Sequence, residues 1–328
     1  MTKRVRYGVI VLCMVTAFVF SGCYVRNDKF LKEYNGIIGA NNNYALISLE
    51  ANERIDGYSD NLVIVPENYV QETTTELSNA AASLYCLDDK SIIYADNVHE
   101  SLHPASLTKI MTVYVALKYG NPDDIVTITD ASKITERGAT VIGLEAGDKI
   151  LLKDLIYCAM IYSGNDAAAA IAVHISGSVE EYAKLMTKEA AALGATNTTF
   201  KNPHGLTEEG HMTTLYDVYL MLNEAVKNET VKDMINRTNY TYTYTKADGQ
   251  EKTKTVKSTL RYFSNQYAYP SDITIVGGKT GTTNAAGYCL ALYVTHKESG
   301  KQYIAVILKA SSLDNLYGEM SYLLEFCE

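Results

Sequence analysis

Apolar residues recur at helical spacing after Pro104-Ala105, at Leu107, Ile110, Met111, Tyr114 and Leu117, until Gly120-Asn121-Pro122 interrupts the run. The pattern predicts a helix opened by Ser106. Two further apolar stretches, Ile150 to Ile161 and Ala167 to Ile175, are each long enough for a helix of about three turns. Residues 163–165 then fall on a tight turn between helices. Ser178-Val179-Glu180-Glu181 has the form of a capping box whose helix is expected to stop at Gly194, and Leu313 to Phe326 has the pattern of a closing helix.

Alternation and turn residues place the strands. Ala81 to Leu87 and Ser91 to Tyr94 flank Asp88-Asp89-Lys90 as one hairpin, and Tyr288 to Thr295 and Tyr303 to Leu308 flank Glu298-Ser299-Gly300 as another. Ile273-Thr274-Ile275-Val276-Gly277-Gly278 is a β-branched run whose glycines admit a second backbone, so it is expected to be a strand bordering a groove. Tyr240-Thr241-Tyr242-Thr243-Tyr244-Thr245, Asp248-Gly249 and then Thr253, Thr255 and Val256 predict a protruding two-stranded ribbon. Its tyrosines either stack on sugars or a partner, or pack down onto the domain's own surface, and packing is the expectation.

Three short strings carry candidate chemistry. They are Ser106-Leu107-Thr108-Lys109, Ser163-Gly164-Asn165 and Lys279-Thr280-Gly281, in that order. A serine hydroxyl needs a base within hydrogen-bond reach, and a lysine serves once its ammonium has lost its proton. Helical spacing puts Ser106 and Lys109 one turn apart on one face. The free amides of a helix N-terminus favour an oxyanion beside Ser106 and disfavour a protonated Lys109. On the inter-helix turn, Ser163 can relay a proton while the Asn165 amide holds a substrate carbonyl and the lysine. Lys279 supplies a cation that draws in a carboxylate and helps to keep Lys109 neutral, and the Thr282 amide is a candidate second oxyanion donor. Together the strings read as a serine acyl-transfer site.

This motif set is shared by penicillin-binding proteins and class A β-lactamases. Pro104-Ala105-Ser106-Leu107-Thr108-Lys109-Ile110-Met111-Thr112 and Phe200-Lys201-Asn202-Pro203-His204-Gly205-Leu206, continued by His211, Thr214 and Asp217, narrow the choice. Over about residues 72 to 325 the chain resembles the low-molecular-mass D-alanyl-D-alanine carboxypeptidases, serine peptidase family S11. The resemblance implies an α/β (α+β) fold of the β-lactamase/transpeptidase type, an antiparallel sheet flanked by helices plus an all-helical lobe. It implies hydrolysis of the terminal D-Ala-D-Ala bond of the peptidoglycan stem peptide. Ser106 would be acylated with Lys109 as base, Ser163 and Asn165 would complete the proton network and hold the substrate amide, and Lys279 and Thr280 would bind the terminal carboxylate, with Gly281 and Thr282 beside them as further substrate-binding residues. β-Lactam antibiotics would acylate the same serine. No cofactor or metal is implied. A transpeptidase or a β-lactam-binding sensor would use the same acyl-enzyme. A class A β-lactamase would need a Glu-x-x-Asn string between Ser163 and Lys279, and an esterase a G-x-S-x-G elbow; the sequence has neither.

Two departures from the family pattern stand out. An arginine that helps to bind the substrate carboxylate in relatives is replaced by Ile307-Leu308-Lys309-Ala310-Ser311-Ser312, where Lys309 offers only a point charge. Many relatives also add a β-rich domain and an amphipathic helix at the C-terminus, whereas this sequence stops at Glu328, so a membrane anchor is expected at the other end. There, Lys3, Arg4 and Arg6 precede an apolar run from Tyr7 to Phe20, and Phe20-Ser21-Gly22-Cys23 resembles a lipoprotein processing site with Phe20 where leucine is usual. A lipidated Cys23, a secretory signal or an uncleaved anchor all place the catalytic domain outside the cytoplasmic membrane. The run is shorter than the roughly 20 residues that a spanning helix prefers.

The expected organisation is a leader over residues 1–23, a tether over 24–71 and a D,D-peptidase domain over 72–328. The tether has the reach of ~160 Å if fully extended, and Tyr44 to Leu49 gives part of it strand character. Composition changes little in this picture. With 47% apolar and 20% charged residues the chain is an ordinary globule. Its net charge of −9 would become −12 without residues 1–22, with 26 basic residues against 38 acidic, which argues against a nucleic-acid partner. Cys86, Cys158, Cys289 and Cys327 lack close disulfide or metal spacing and are expected to be buried free thiols. His174 is expected to be a core residue, and His204 and His211 to brace the site rather than bind metal.

Overall fold

In a computed structural model of the chain, residues 62–66, 68, 69, 77 and 81–328 are described. The leader, Cys23 and the strand-like Tyr44 to Leu49 lie outside these residues. Within the stretch assigned as tether, Val63 and Val65 are buried and Tyr69 forms a bridge to Ala95.

Strand β1 (Ala81–Cys86) is buried at all six positions, as a strand covered on both faces must be. It turns through Asp88-Asp89-Lys90 into β2 (Ser91–Asp96). The chain then passes through α1 (Thr108–Tyr119), β3 (Ile125–Thr127), β4 (Lys149–Leu151), α2 (Leu152–Tyr157), α3 (Asn165–Ser176), α4 (Val179–Ala192), α5 (Leu215–Ala225) and α6 (Glu229–Asn236). It ends in β5 (Asn239–Thr245), β6 (Glu251–Lys257), β7 (Ile273–Thr283), β8 (Gly287–His296), β9 (Gln302–Ala310) and α7 (Leu313–Leu324). The main sheet is antiparallel, in the order β2-β1-β9-β8-β7, so the two ends of the domain build it and the middle of the chain forms the helical lobe.

Alternation along the strands divides the core between the two faces of this sheet. Tyr85 points toward the helical lobe and meets Tyr219 of α5 at 4.7 Å between ring centroids. Its neighbours Leu84 and Cys86 belong to the other face, with Leu290, Leu292 and Ile307 against Leu316, Met320 and Leu323 of α7. The antiparallel sheet flanked by helices and the helical lobe agree with the expected architecture. Helix α1 runs through the middle of the lobe and is buried nearly all round. That makes its polar residues Thr108, Lys109 and Thr112, each at most 1% exposed, conspicuous.

Several elements differ from the sequence-based expectation. The stretch from Ile150 to Ile161 begins as a strand, because Ile150 pairs with Val126 of β3, and ends in a π-helical turn at Cys158–Tyr162. The tyrosine ribbon does not protrude. Thr245 pairs with Lys149, which joins β5 and β6 to a second sheet of order β3-β4-β5-β6. Tyr240 stacks on Tyr157 at 4.4 Å and donates to Asp154, and Tyr242 and Tyr244 are buried. The tyrosines therefore pack downward, and threonines occupy the outer face, paired as Thr241 with Thr255 and Thr243 with Thr253 at 2.8 Å. His174 is a surface residue paired with Asp124 at 3.1 Å, because the last turn of α3 emerges from the core, where Val173 and Ile175 beside it are only partly buried. All four expected thiols are free and buried. No helix among the described residues is long and apolar enough to cross a membrane.

The glycines before Lys279 permit close approach, as their pattern suggested. A Cβ at Gly277 would lie 2.2 Å from the Ile235 carbonyl oxygen at the end of α6. Gly277→Ala must push α6 off the sheet, and we expect a loss of about 1–3 kcal/mol of stability in urea unfolding. An unchanged midpoint would show that the contact yields freely.

Candidate active site

The first string sits on a strained approach to α1. Ala105 has φ +46°, a left-handed conformation that costs a non-glycine residue energy, and it opens the 3₁₀ turn Ala105–Leu107 that carries Ser106. The turn is held from outside. Thr108 Oγ1 donates to the Ala105 carbonyl at 2.8 Å, and Gly205 lies so close that a Cβ there would be 1.9 Å from the same oxygen. His211 extends the chain of bonds. Lys201 N–H donates to its Nδ1 at 3.1 Å, which places the ring proton on Nε2, the atom 2.9 Å from Thr108 Oγ1. Burial pushes the His211 imidazole down to about 4, so the ring is a neutral brace.

Lys109 follows one turn later and is fully buried. Its Nζ lies 2.6 Å from the His204 carbonyl oxygen, 2.7 Å from Asn165 Oδ1 and 3.0 Å from Ser106 Oγ. Burial, reinforced by the charge of Lys279 and opposed by Asp166, holds this amine well below the usual lysine range. A neutral amine has two hydrogens and one lone pair. The two carbonyl-type oxygens accept its hydrogens, and the lone pair is left facing the Ser106 hydroxyl.

The second string lies where the π-helical turn gives way to α3. Ser163 takes φ +68° there, and the N–H of Gly164 bonds back to the Cys158 carbonyl at 3.2 Å. The next residue, Asp166, gathers the N–H groups of Ile142, Gly143, Leu144 and Ala167 on its carboxylate at 2.8–3.3 Å. The third string is in β7 itself. Lys279, 1% exposed, reaches Ser163 Oγ at 3.0 Å and the Thr280 carbonyl at 2.9 Å, and burial lowers its amine to about 7. Gly281 brings the strand against the serine: a Cβ there would be 2.9 Å from Ser106 N.

Ser106, Lys109, Asn165, Ser163 and Lys279 are thus brought together, as Lys109 touches Ser106 and Asn165 and Lys279 touches Ser163. Thr280 and Thr282 flank Gly281 on β7. Lys309 stands apart. It is an exposed residue of β9 with φ +60°, at the register shift between Tyr288 and Leu290, and β8 separates it from β7. His204 braces the site as expected, its carbonyl holding Lys109, and the structure adds two residues that the motifs did not mark: Asp166 ties the Ser163 turn to residues 142–144, and Thr259 Oγ1 lies 2.6 Å from Thr280 Oγ1. His204 lay within a recognised string, and Asp166 follows Asn165 directly, where an acidic residue in a first helical turn is a common cap. Thr259 had no local signal. Among the described residues no group of three or more His, Cys, Asp or Glu is arranged to hold a metal ion. The arrangement combines a hydroxyl nucleophile, an amine base, a second hydroxyl–amine pair and a strand edge, a set suited to acyl transfer.

A family model described as D-alanyl-D-alanine carboxypeptidase, peptidase family S11, matches residues 69–312. The chain is 35% identical over 261 residues to the D-alanyl-D-alanine carboxypeptidase DacF of Bacillus subtilis, across 77% of this chain and 63% of the relative. It is 32% identical over 262 residues to the D-alanyl-D-alanine carboxypeptidase DacC of Escherichia coli, across 76% of this chain and 62% of the relative. The chain therefore spans less than two thirds of the length of these curated relatives. The solved structure of the Streptomyces K15 DD-transpeptidase matches with a TM-score of 0.70 at 26% identity, covering 77% of this chain and 98% of that one.

Lys279 links the site to stability. An unfolded lysine keeps its proton up to about 10.5, whereas folded Lys279 releases it near 7. Between these values the unfolded state binds more protons, so stability rises with pH across that window, and the cost of the buried charge is fully present below it. Urea unfolding at several pH values from 7 to 10 is expected to give a steeper rise for the wild type than for Lys279→Met. Equal slopes would mean that Lys279 stays charged when folded.

Proposed function

The chain belongs to the S11 family of D-alanyl-D-alanine carboxypeptidases, and from that premise we propose that it is a serine-type D-Ala-D-Ala carboxypeptidase acting on peptidoglycan stem peptides. The observation that carries this reading is the Lys109 environment: two oxygens take its hydrogens and leave its lone pair for Ser106.

In the proposed reaction the Ser106 hydroxyl gives its proton to Lys109 Nζ as Oγ attacks the penultimate D-alanine carbonyl. The developing oxyanion lies between the amides of Ser106 and Thr282, where Gly281 lets β7 close on the serine. Collapse of the adduct breaks the amide bond. Ser163 Oγ hands a proton to the departing nitrogen and draws a replacement from Lys279, whose amine near 7 both gives and takes protons at physiological pH. Free D-alanine leaves, and water hydrolyses the Ser106 ester. Lys279 and the hydroxyls of Thr280 and Thr259 hold the terminal carboxylate, and the Asn165 amide orients the acyl part of the substrate. β-Lactams acylate Ser106 because their strained amide presents the same carbonyl and carboxylate.

The decisive assay is D-alanine release from diacetyl-Lys-D-Ala-D-Ala. Wild type is expected to release D-alanine and to be labelled covalently by penicillin, Ser106→Ala to do neither, and Lys109→Ala to be slower by about 10²–10⁴-fold. A folded wild type that is labelled but releases nothing would be a sensor, or a transpeptidase lacking its acceptor. Persistent labelling of Ser106→Ala would exclude that serine as the nucleophile.

A stem-peptide substrate requires an extracytoplasmic enzyme, and the basic, apolar and cysteine-ended leader supports export with lipidation at Cys23. Cys23→Ser is then expected to move the protein from the membrane fraction to the soluble extracytoplasmic fraction. Unchanged membrane retention would point to an uncleaved anchor instead.

A further inference from the structure

The β5–β6 unit contributes no group to the reaction just described, yet one of its side chains reaches the wall of the site. Lys254 of β6 is half-buried, its ammonium 5.3 Å from the Tyr244 ring centroid. Its Nζ donates to the Ile142 carbonyl at 2.7 Å and approaches the Gly143 carbonyl at 3.4 Å. The amides of the same two residues donate to Asp166 at 2.9 and 2.8 Å. The peptide groups of Ile142 and Gly143 are therefore held by a carboxylate at their N–H ends and by an ammonium at their carbonyl ends. Charge-assisted bonds of this kind are about twice as strong as neutral ones.

The clamped segment bears directly on the second catalytic string. The Thr140 carbonyl accepts from the Asn165 N–H at 2.8 Å, and Ile142 Cγ2 would be 3.2 Å from a Cβ at Gly164. Residues 140–142 thus lie over the Ser163-Gly164-Asn165 turn, and the side chain of Asn165 is the one that holds Lys109. Asp166 shares the helix with Asn165, so by itself it ties the segment only to the turn. Lys254 ties the same segment to a separate sheet.

We infer that Lys254 is a positioning residue for the acyl-transfer site, fixing residues 140–144 against the Asn165 turn from the β5–β6 sheet. The inference rests on the proposed reading of the site, and the two fail separately.

The test compares Lys254→Met, Lys254→Arg and Lys252→Met, the last an exposed neighbour on the same strand. Penicillin acylation is measured per titratable site, and backbone hydrogen exchange over residues 138–145 is followed in the same proteins. Lys254→Met is expected to acylate about ten-fold more slowly, since small misplacements of reacting groups cost rate steeply, and to exchange faster in that segment. Lys254→Arg, which keeps a cation able to donate, recovers most of both. Lys252→Met matches the wild type. Wild-type exchange in Lys254→Met overturns the clamp, and faster exchange with wild-type acylation overturns the positioning role. A wild type that penicillin does not label overturns the acyl-transfer reading instead, while the exchange comparison still decides the clamp.

Discussion

Two lysine amines are buried close enough for the charge of one to act on the other, and the rest of the site is organised around that fact. Lys109 is not exposed at all and Lys279 is 1% exposed. Burying two ammonium ions near each other is prohibitively costly, so burial drives both proton affinities down, and the charge of Lys279 lowers that of Lys109 further. What would be a defect in a structural core becomes a supply of neutral amine near neutral pH. The surroundings preserve it. His204 and His211, beside this helix end, are held down to about 3 and about 4, chiefly by burial, so neither adds a competing cation. Asp166 is the one carboxylate that raises the proton affinity of Lys109, and its oxygens are already engaged by four backbone amides.

Backbone geometry meets the same demand for closeness. The lysines reach their partners only if three separate segments converge, and two of these do so at a conformational cost. Ala105 and Ser163 adopt positive φ without being glycine, the first beside Ser106 and the second in contact with Lys279. Strain of this sort persists only where surrounding contacts over-determine it. Around Ala105 those contacts are the Thr108 hydroxyl and the backbone of Gly205; around Ser163 they are the π-helical turn and the segment held by Asp166 and Lys254. The same logic explains why β7 is glycine-rich where it passes α6 and Ser106.

The topology makes the convergence possible. The main sheet is built from the two ends of the domain, with β7 at its edge, so the Lys279 string has one side free to face the helical lobe. Helix α1 fills the lobe's interior and delivers Ser106 and Lys109 to the rim of that edge. The second, smaller sheet is packed onto the lobe through Tyr240, Tyr242 and Tyr244. It is joined to the site through Lys254, and through Thr259 in the segment that follows β6.

The local pattern was enough to determine α1, the two hairpins of the main sheet, the Ser163 turn and the three strings that the fold brings together. Each of these is specified by periodicity, by turn residues or by a short string whose members lie one helical turn or one strand step apart. Sequence did not determine where an apolar run changes from strand to helix to π-turn, as at Ile150 to Tyr162, because apolar character is compatible with all three and only the pairing of Ile150 with Val126 decides. Nor did it place His174, whose exposure depends on which side of α3 is covered, or the tyrosine ribbon, whose single pairing with β4 makes it part of a sheet. The strings suggest that Lys279 helps to keep Lys109 neutral, but only the tertiary structure brings this about. It depends on burial of both amines and, for Lys109, on the charges of Lys279 and Asp166 more than 50 positions away in the chain, and electrostatic free energy is a function of distance in space, which a linear order of residues does not contain.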